Sequence, residues 1–475
     1  MATKTSTVMR CLVMIGALTW AQQAHANGLV VTNVALWNQN LGQKSVYASF
    51  DLSWSNSWRT AVNWDAAWVF VKFRAPGSNN WQHATLSTNG GDHVAPGGCT
   101  VTPSPEGKGV FVYSSGTQTG HVSYLRTRLR WDYGTDGYNF AKGDPVEVSV
   151  HAIEMVYVPQ SAFFIGSGGS NEVSHFYQYT DGSQSTNPFL VASETAITVG
   201  TANGNLFYAG GDSYVIPDTF PKGYAAFYCM KYEISQGQYA DFLNRLTGAQ
   251  WTNRTTTGSS GSFRHTISGT YTNCAATAPD RECNYLTWAH GCAYLAWAAL
   301  RPMTELEFEK ACRGSANPVP GEYAWGNAGA TNMAGEAGTP GSGTETATPA
   351  AANANNNNVF YAPTRVGIFA TATSGREQAG ASYHGVLDMS GGLYERCVTV
   401  ANPQGRGFLG THGSGVLSAA GAATNADWTG DTGGGSRGGG FYGAPIMMCV
   451  SDRNLATWTC NWDYTVGFRG VRTAP

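Results

Sequence analysis

The chain has 475 residues, of which 42% are hydrophobic, 12% charged and 60 glycine. This excludes a disordered tail or a small disulfide scaffold and leaves room for two or three loop-rich domains. The 28 Lys and Arg residues nearly balance the 31 Asp and Glu, for a net charge of −3, so composition offers no basic surface for nucleic acid.

Lys4 and Arg10 precede the apolar run Cys11 to Trp20, and Ala24-His25-Ala26 follows. That is the charged, apolar and small-residue order of a secretory signal, so residues 1–26 are expected to be removed and the mature chain exported: extracellular, cell-surface or periplasmic. The run is too short to span a bilayer, and no later stretch approaches the roughly 20 apolar residues of a transmembrane segment. Cleavage leaves Cys99, Cys229, Cys274, Cys283, Cys292, Cys312, Cys397, Cys449 and Cys460. Their wide spacing lacks the CxxC pairs of structural zinc sites.

From residue 27 to 152 the pattern is period two. Val46, Ala48, Phe50, Leu52 and Trp54 alternate with polar neighbours, Trp68 to Phe73 repeats the theme, and Ala75-Pro76-Gly77-Ser78-Asn79-Asn80 marks a turn. An antiparallel β-sandwich is predicted there. His83, His93 and His121 lie scattered in it without a catalytic constellation.

After Glu154 short helical segments sit among Gly, Asn and Thr loops. Ser235-Gln236-Gly237-Gln238 is a capping box, Thr287 opens a second helix, and Thr304-Glu305-Leu306-Glu307 caps a third that Gly314 is placed to end. Residues 326–359, rich in Gly, Ala, Thr and Asn, are expected to form a flexible surface insertion.

Several segments together resemble the formylglycine-generating enzyme (sulfatase-modifying factor) family. Met155-Val156-Tyr157-Val158-Pro159 and Tyr232-Glu233-Ile234-Ser235 come first, and Arg301-Pro302-Met303-Thr304-Glu305-Leu306-Glu307-Phe308-Glu309-Lys310-Ala311 is similar to R-L-P-T-E-A-E-W-E-K-A. Tyr323-Ala324-Trp325-Gly326-Asn327, Gly385-Val386-Leu387-Asp388-Met389-Ser390-Gly391, Arg437-Gly438-Gly439 and Gly467-Phe468-Arg469 follow in the family's order. The resemblance implies an α+β chain: a sandwich over 27–152, then a C-type-lectin-like fold of low regular secondary structure over 153–475.

Function does not follow from fold. Family members that make formylglycine bind copper through a cysteine pair soon after R-G-G-S. Here the first expected cysteine falls near Gly443 and only Cys449 follows before Cys460, which argues against copper. The segment that helps hold calcium in relatives keeps Glu395 but has Gly392 in place of its Asn, so calcium at Glu395 stays open. The H-x3-H-x-E helical domain of iron-dependent relatives has no counterpart. His384, Asp388 and Glu395 lie close in sequence but show no nucleophile or acid/base spacing, so no catalytic residue is assigned.

The expectation is therefore a non-catalytic protein that binds a protein or glycan ligand near its C-terminus. Its candidate contacts are Phe441, Tyr442, Trp458, Asn461, Trp462, Asp463 and Tyr464, a mixture of rigid rings and adaptable polar groups. The same rings also suit a core, and the sequence leaves that open. Lectin-like members of the family also serve as variable proteins of diversity-generating retroelements, rewritten at adenines before a terminal G-F-R. Many residues of 441–466 are reachable from an Asn codon in that way, although Met447, Met448, Trp458 and Trp462 are not. The alternative is a formylglycine-generating oxidase acting on cysteine of exported sulfatases.

Overall fold

The computed structural model describes residues 28–169, 172–180, 186–459 and 462–475. The expected signal peptide, Cys460 and Asn461 lie outside the described residues. Strands dominate, with a few short helices, as an α+β chain requires.

The first eight strands are β1 (Val30–Asn40), β2 (Ser45–Arg59), β3 (Asp65–Arg74), β4 (Gln82–His83), β5 (Cys99–Pro103), β6 (Val110–Ser114), β7 (Gln118–Trp131) and β8 (Glu147–Val158). β1, β2 and β7 form a three-stranded sheet, while β5, β6, β3 and β8 belong to an eight-stranded one. β2 shows the expected alternation: Ala48, Phe50, Leu52 and Trp54 are buried, and Tyr47, Ser49, Asp51 and Ser53 lie between core and solvent. They pack against Val69, Val71, Phe73, Val110, Val112, Val148 and Val150 of the facing sheet, forming the sandwich core.

β3 reads differently because both of its faces are covered. Trp68 and Phe70 point away from the sandwich core into a second, larger core that contains Tyr294 and Trp297. Trp68 Nε1 donates to Ala298 O at 2.8 Å, and Phe70 meets Trp297 edge-on at 5.2 Å. A strand buried on both faces loses period-two contrast, which is why its sequence is nearly continuously apolar. The larger sheet then continues beyond β8 through Phe227–Met230, Gly470–Thr473 and Arg301–Pro302. The boundary expected at residue 152 thus falls inside β8, and one sheet runs through both expected domains.

Helices α1 (Gln236–Leu243), α2 (Gly248–Arg254), α3 (Trp288–Trp297) and α4 (Glu305–Arg313) each begin with a capping box, at Ser235, Thr247, Thr287 and Thr304. Gly314 ends α4 at a φ of 64°, where a side chain would be strained. Every residue of α4 is buried, charged ones included. Glu305 accepts from Arg437 and Arg453, and Glu309 accepts from Arg313 and Arg437. The T-E-x-E-x-E, R-G-G and Arg453 positions are therefore internal pins. No helix among the described residues is long and apolar enough to cross a membrane.

The expected flexible insertion is tied down. Gly335–Ala337 pairs with Thr346–Thr348, and Met333, Ala347, Ala352 and Ile368 make a small core. Buried Asn355 donates to Ala362 O, and buried Asn356 donates to Gly440 O and Gly443 O at 3.1 and 2.9 Å. Amide hydrogen bonds to backbone order a segment that has little apolar surface to bury.

Candidate functional site

Glu395 does not present an open calcium site. It is fully buried, and its Oε1 accepts from Arg469 at 2.8 Å. Burial raises the Glu395 carboxyl above its usual range against the pull of Arg469. Neighbouring Glu233, Glu282 and Asp388 are buried too and are also shifted upward, first by burial. A carboxylate closed off by burial and shared with the Arg469 guanidinium is a poor setting for a dication that wants six to eight oxygens. Among the described residues no group of three or more His, Cys, Asp or Glu side chains is placed to hold a metal.

The shape near Gly443 also leaves little room for a side chain at the position of the first expected cysteine. A side chain started at Gly443 would meet Tyr394 Oη at 2.3 Å. Cys449 is buried with its sulfur 3.5 Å from Gly321 O, and burial pushes its thiol up to about 12. A buried thiol shifted in that direction is a poor nucleophile. His384 is likewise buried and its imidazole is lowered to about 3, first by burial. Asp388 accepts from the Gly367 amide at 2.6 Å, a turn-holding role.

The expected contact residues divide between surface and interior. Tyr442 and Trp462 are 53% and 60% exposed. Phe441 is fully buried, a correction to its place among the contacts: its ring packs against Tyr361 and its backbone amide donates to Gly392 O. Trp458 is half-buried, edge-on to Tyr394 at 5.9 Å. Asp463 accepts from the Thr465 amide and hydroxyl at 2.7 and 2.6 Å, so its carboxylate shapes the turn. Tyr464 lies between, stacked on Phe263 at 3.9 Å and 10°, its hydroxyl 2.9 Å from that of Tyr361.

Three rings that sequence reasoning passed over complete the face. Tyr361 stands edge-on to both Phe441 and Tyr442, Phe263 stacks on Tyr464, and Tyr285 meets Trp462 at 5.9 Å. Buried Asn284 ties two of the loops together by donating to Phe263 O and Tyr464 O at 3.1 and 3.3 Å. The backbone is strained just here: Phe263, Arg264, Tyr285, Asn357 and Asn358 have φ values of 43°, 58°, 62°, 61° and 59°. Left-handed geometry costs a non-glycine residue about 1–3 kcal/mol and gathers where a surface must be held in shape. The available sequence signal was local: Phe263 and the Phe360-Tyr361 pair interrupt otherwise polar loops.

Comparison with known proteins places this geometry in a family. No curated protein matches the chain. A solved structure, Treponema denticola variable protein 1, aligns at 12% identity and a TM-score of 0.28, over 68% of this chain and 96% of that one. That similarity is too distant to bear on what this chain binds. Residues 191–474 match the sulfatase-modifying factor enzyme 1-like domain. That span is more than half of the chain, which therefore belongs to the sulfatase-modifying factor enzyme 1-like family.

Proposed function

We propose that this is an exported, non-catalytic ligand-binding protein whose contact face is the aromatic surface of Phe263, Tyr361, Tyr442, Trp462 and Tyr464. The observation that carries the reading is a cluster of exposed rings brought together from separate loops and packed on one another. Such rings lose little conformational freedom on binding and offer large contact area.

The reading extends to diversification of residues 441–466. Buried Phe441, Met448, Val450 and Val466 frame exposed Tyr442, Ala444, Pro445, Asn454, Thr457 and Trp462, so replaceable positions are interleaved with fixed ones. Sequencing codons 437–475 in a clonal culture tests it. Substitutions confined to adenines of a nearby template copy are expected, and an invariant segment without a template removes this extension.

Binding itself is tested with residues 27–475 on peptide and glycan arrays. The double variant Tyr442→Ala/Trp462→Ala is expected to lose at least about tenfold in affinity, since exposed Trp and Tyr anchors carry most interface energy. Its melting temperature should stay within a few degrees of the parent. Retention that ignores both rings, or none on either array, sinks the reading.

A further inference from the structure

A groove of about 500 Å³ opens beside Tyr361, within the range of small-molecule sites. Its principal walls are Arg264, Arg281, Glu336, Glu345, Phe360 and Tyr361. We infer that this groove and the adjoining rings seat a neutral saccharide, a ligand class that rests on the binding reading above.

The charges in the groove cancel. Arg264 donates to both oxygens of Glu336 at 2.7 and 2.5 Å, Arg281 donates to Glu345 at 2.8 Å, and Arg264 reaches Glu345 at 3.3 Å. An anionic ligand finds each guanidinium already engaged by a carboxylate, and a cationic ligand finds the carboxylates engaged by guanidiniums. Separating such a pair leaves one charge uncompensated, so neither ligand sign is favoured. A hydroxyl both donates and accepts. A polyol hydroxyl can therefore donate to the remaining lone pairs of Glu336, which keeps part of its surface exposed, without breaking the Arg–Glu fork.

The forks are held from two sides. Arg264 stands in left-handed backbone and packs over Phe360 at 5.2 Å, and its Nη1 also donates to Pro363 O at 3.0 Å. The Arg264 and Glu336 side chains keep 22% and 13% of their surface, enough to meet a ligand. At the rim, Tyr361 presents a ring 38% exposed, a flat apolar face of the kind on which the C–H side of a pyranose lies.

The experiment uses residues 27–475 with neutral gluco-, galacto- and manno-oligosaccharides, their sialylated and sulfated counterparts, and a peptide library. Neutral oligosaccharides are expected to bind, with affinity that changes less than about twofold between 0.05 and 0.5 M NaCl because no net charge is matched. Phe360→Leu, which keeps apolar volume but loses the ring, and Glu336→Gln, which breaks the fork, are each expected to weaken binding about tenfold with circular dichroism unchanged. Binding confined to charged glycans, or a neutral glycan indifferent to both variants, overturns the saccharide. Peptide binding lost in Tyr442→Ala/Trp462→Ala overturns the saccharide and keeps the aromatic face, whereas silence on every array removes both.

Discussion

Glu305→Gln is expected to destabilise the protein by about 3–5 kcal/mol, read as the shift of the urea unfolding midpoint or as loss of soluble protein. Glu305 is fully buried and accepts from Arg453 at 2.7 and 3.0 Å, from Arg437 at 3.0 Å, from the Val400 amide and from the Thr399 hydroxyl. The amide keeps the shape but removes the charge, leaving two buried guanidiniums without their shared counter-ion. Burial pushes the Glu305 carboxyl up, yet Arg453 and Arg437 outweigh it and hold the group below its ordinary value. Its contribution is therefore present above the unfolded pKa and is lost as pH falls through the lower folded one. A variant within about 1 kcal/mol of the parent would show that the network is dispensable.

Arg469→Met is expected to be comparably severe, and more so at pH 8 than at pH 5. Arg469 bonds Glu395 and donates to Met230 O and Leu387 O at 2.8 Å each, so it joins the large sheet to the carboxyl cluster. Glu233, whose two carboxyl oxygens lack a partner among the described residues, is pushed well above 4.5, by burial first and then by Glu282 and Glu395. The sign is opposite to that of Glu305. Stability is full below the unfolded value of about 4.5 and is lost as pH rises through the raised folded value. Glu233→Gln should accordingly raise the melting temperature at pH 8, leave it nearly unchanged at pH 4.5 and flatten the slope between. A steeper slope in Glu233→Gln, or an Arg469→Met defect independent of pH, would refute this account of the cluster.

What the sequence disclosed was local. The alternation from Val46 to Trp54, the capping boxes at Ser235, Thr287 and Thr304, and the stop at Gly314 all depend on residues within a few positions of each other. The aromatic face is different in kind, because Phe263, Tyr361, Tyr442 and Tyr464 meet across four separate loops. No periodicity encodes such a meeting. Phe441 illustrates the limit: it neighbours exposed Tyr442, yet its ring is buried against Tyr361 and Tyr464 from distant loops. The Asn355-Asn356 pair misled because composition records apolar area, while these residues are held by amide bonds to the 440–443 loop.

The large sheet also sets a schedule for biosynthesis. The strand Gly470–Thr473 lies between Phe227–Met230 and Arg301–Pro302, so the edge of Phe227–Met230 stays bare until nearly the whole chain has been made. At ordinary elongation rates that wait, counted from β3, is on the order of tens of seconds. An unpaired edge invites association with other nascent chains for as long as it persists. The segment that bears Tyr442, Trp462 and Tyr464 leads directly into the closing strand, so a loop sequence that obstructs its own folding also withholds the strand that seals the sheet. Closure of the large sheet therefore waits on the segment that precedes its last strand.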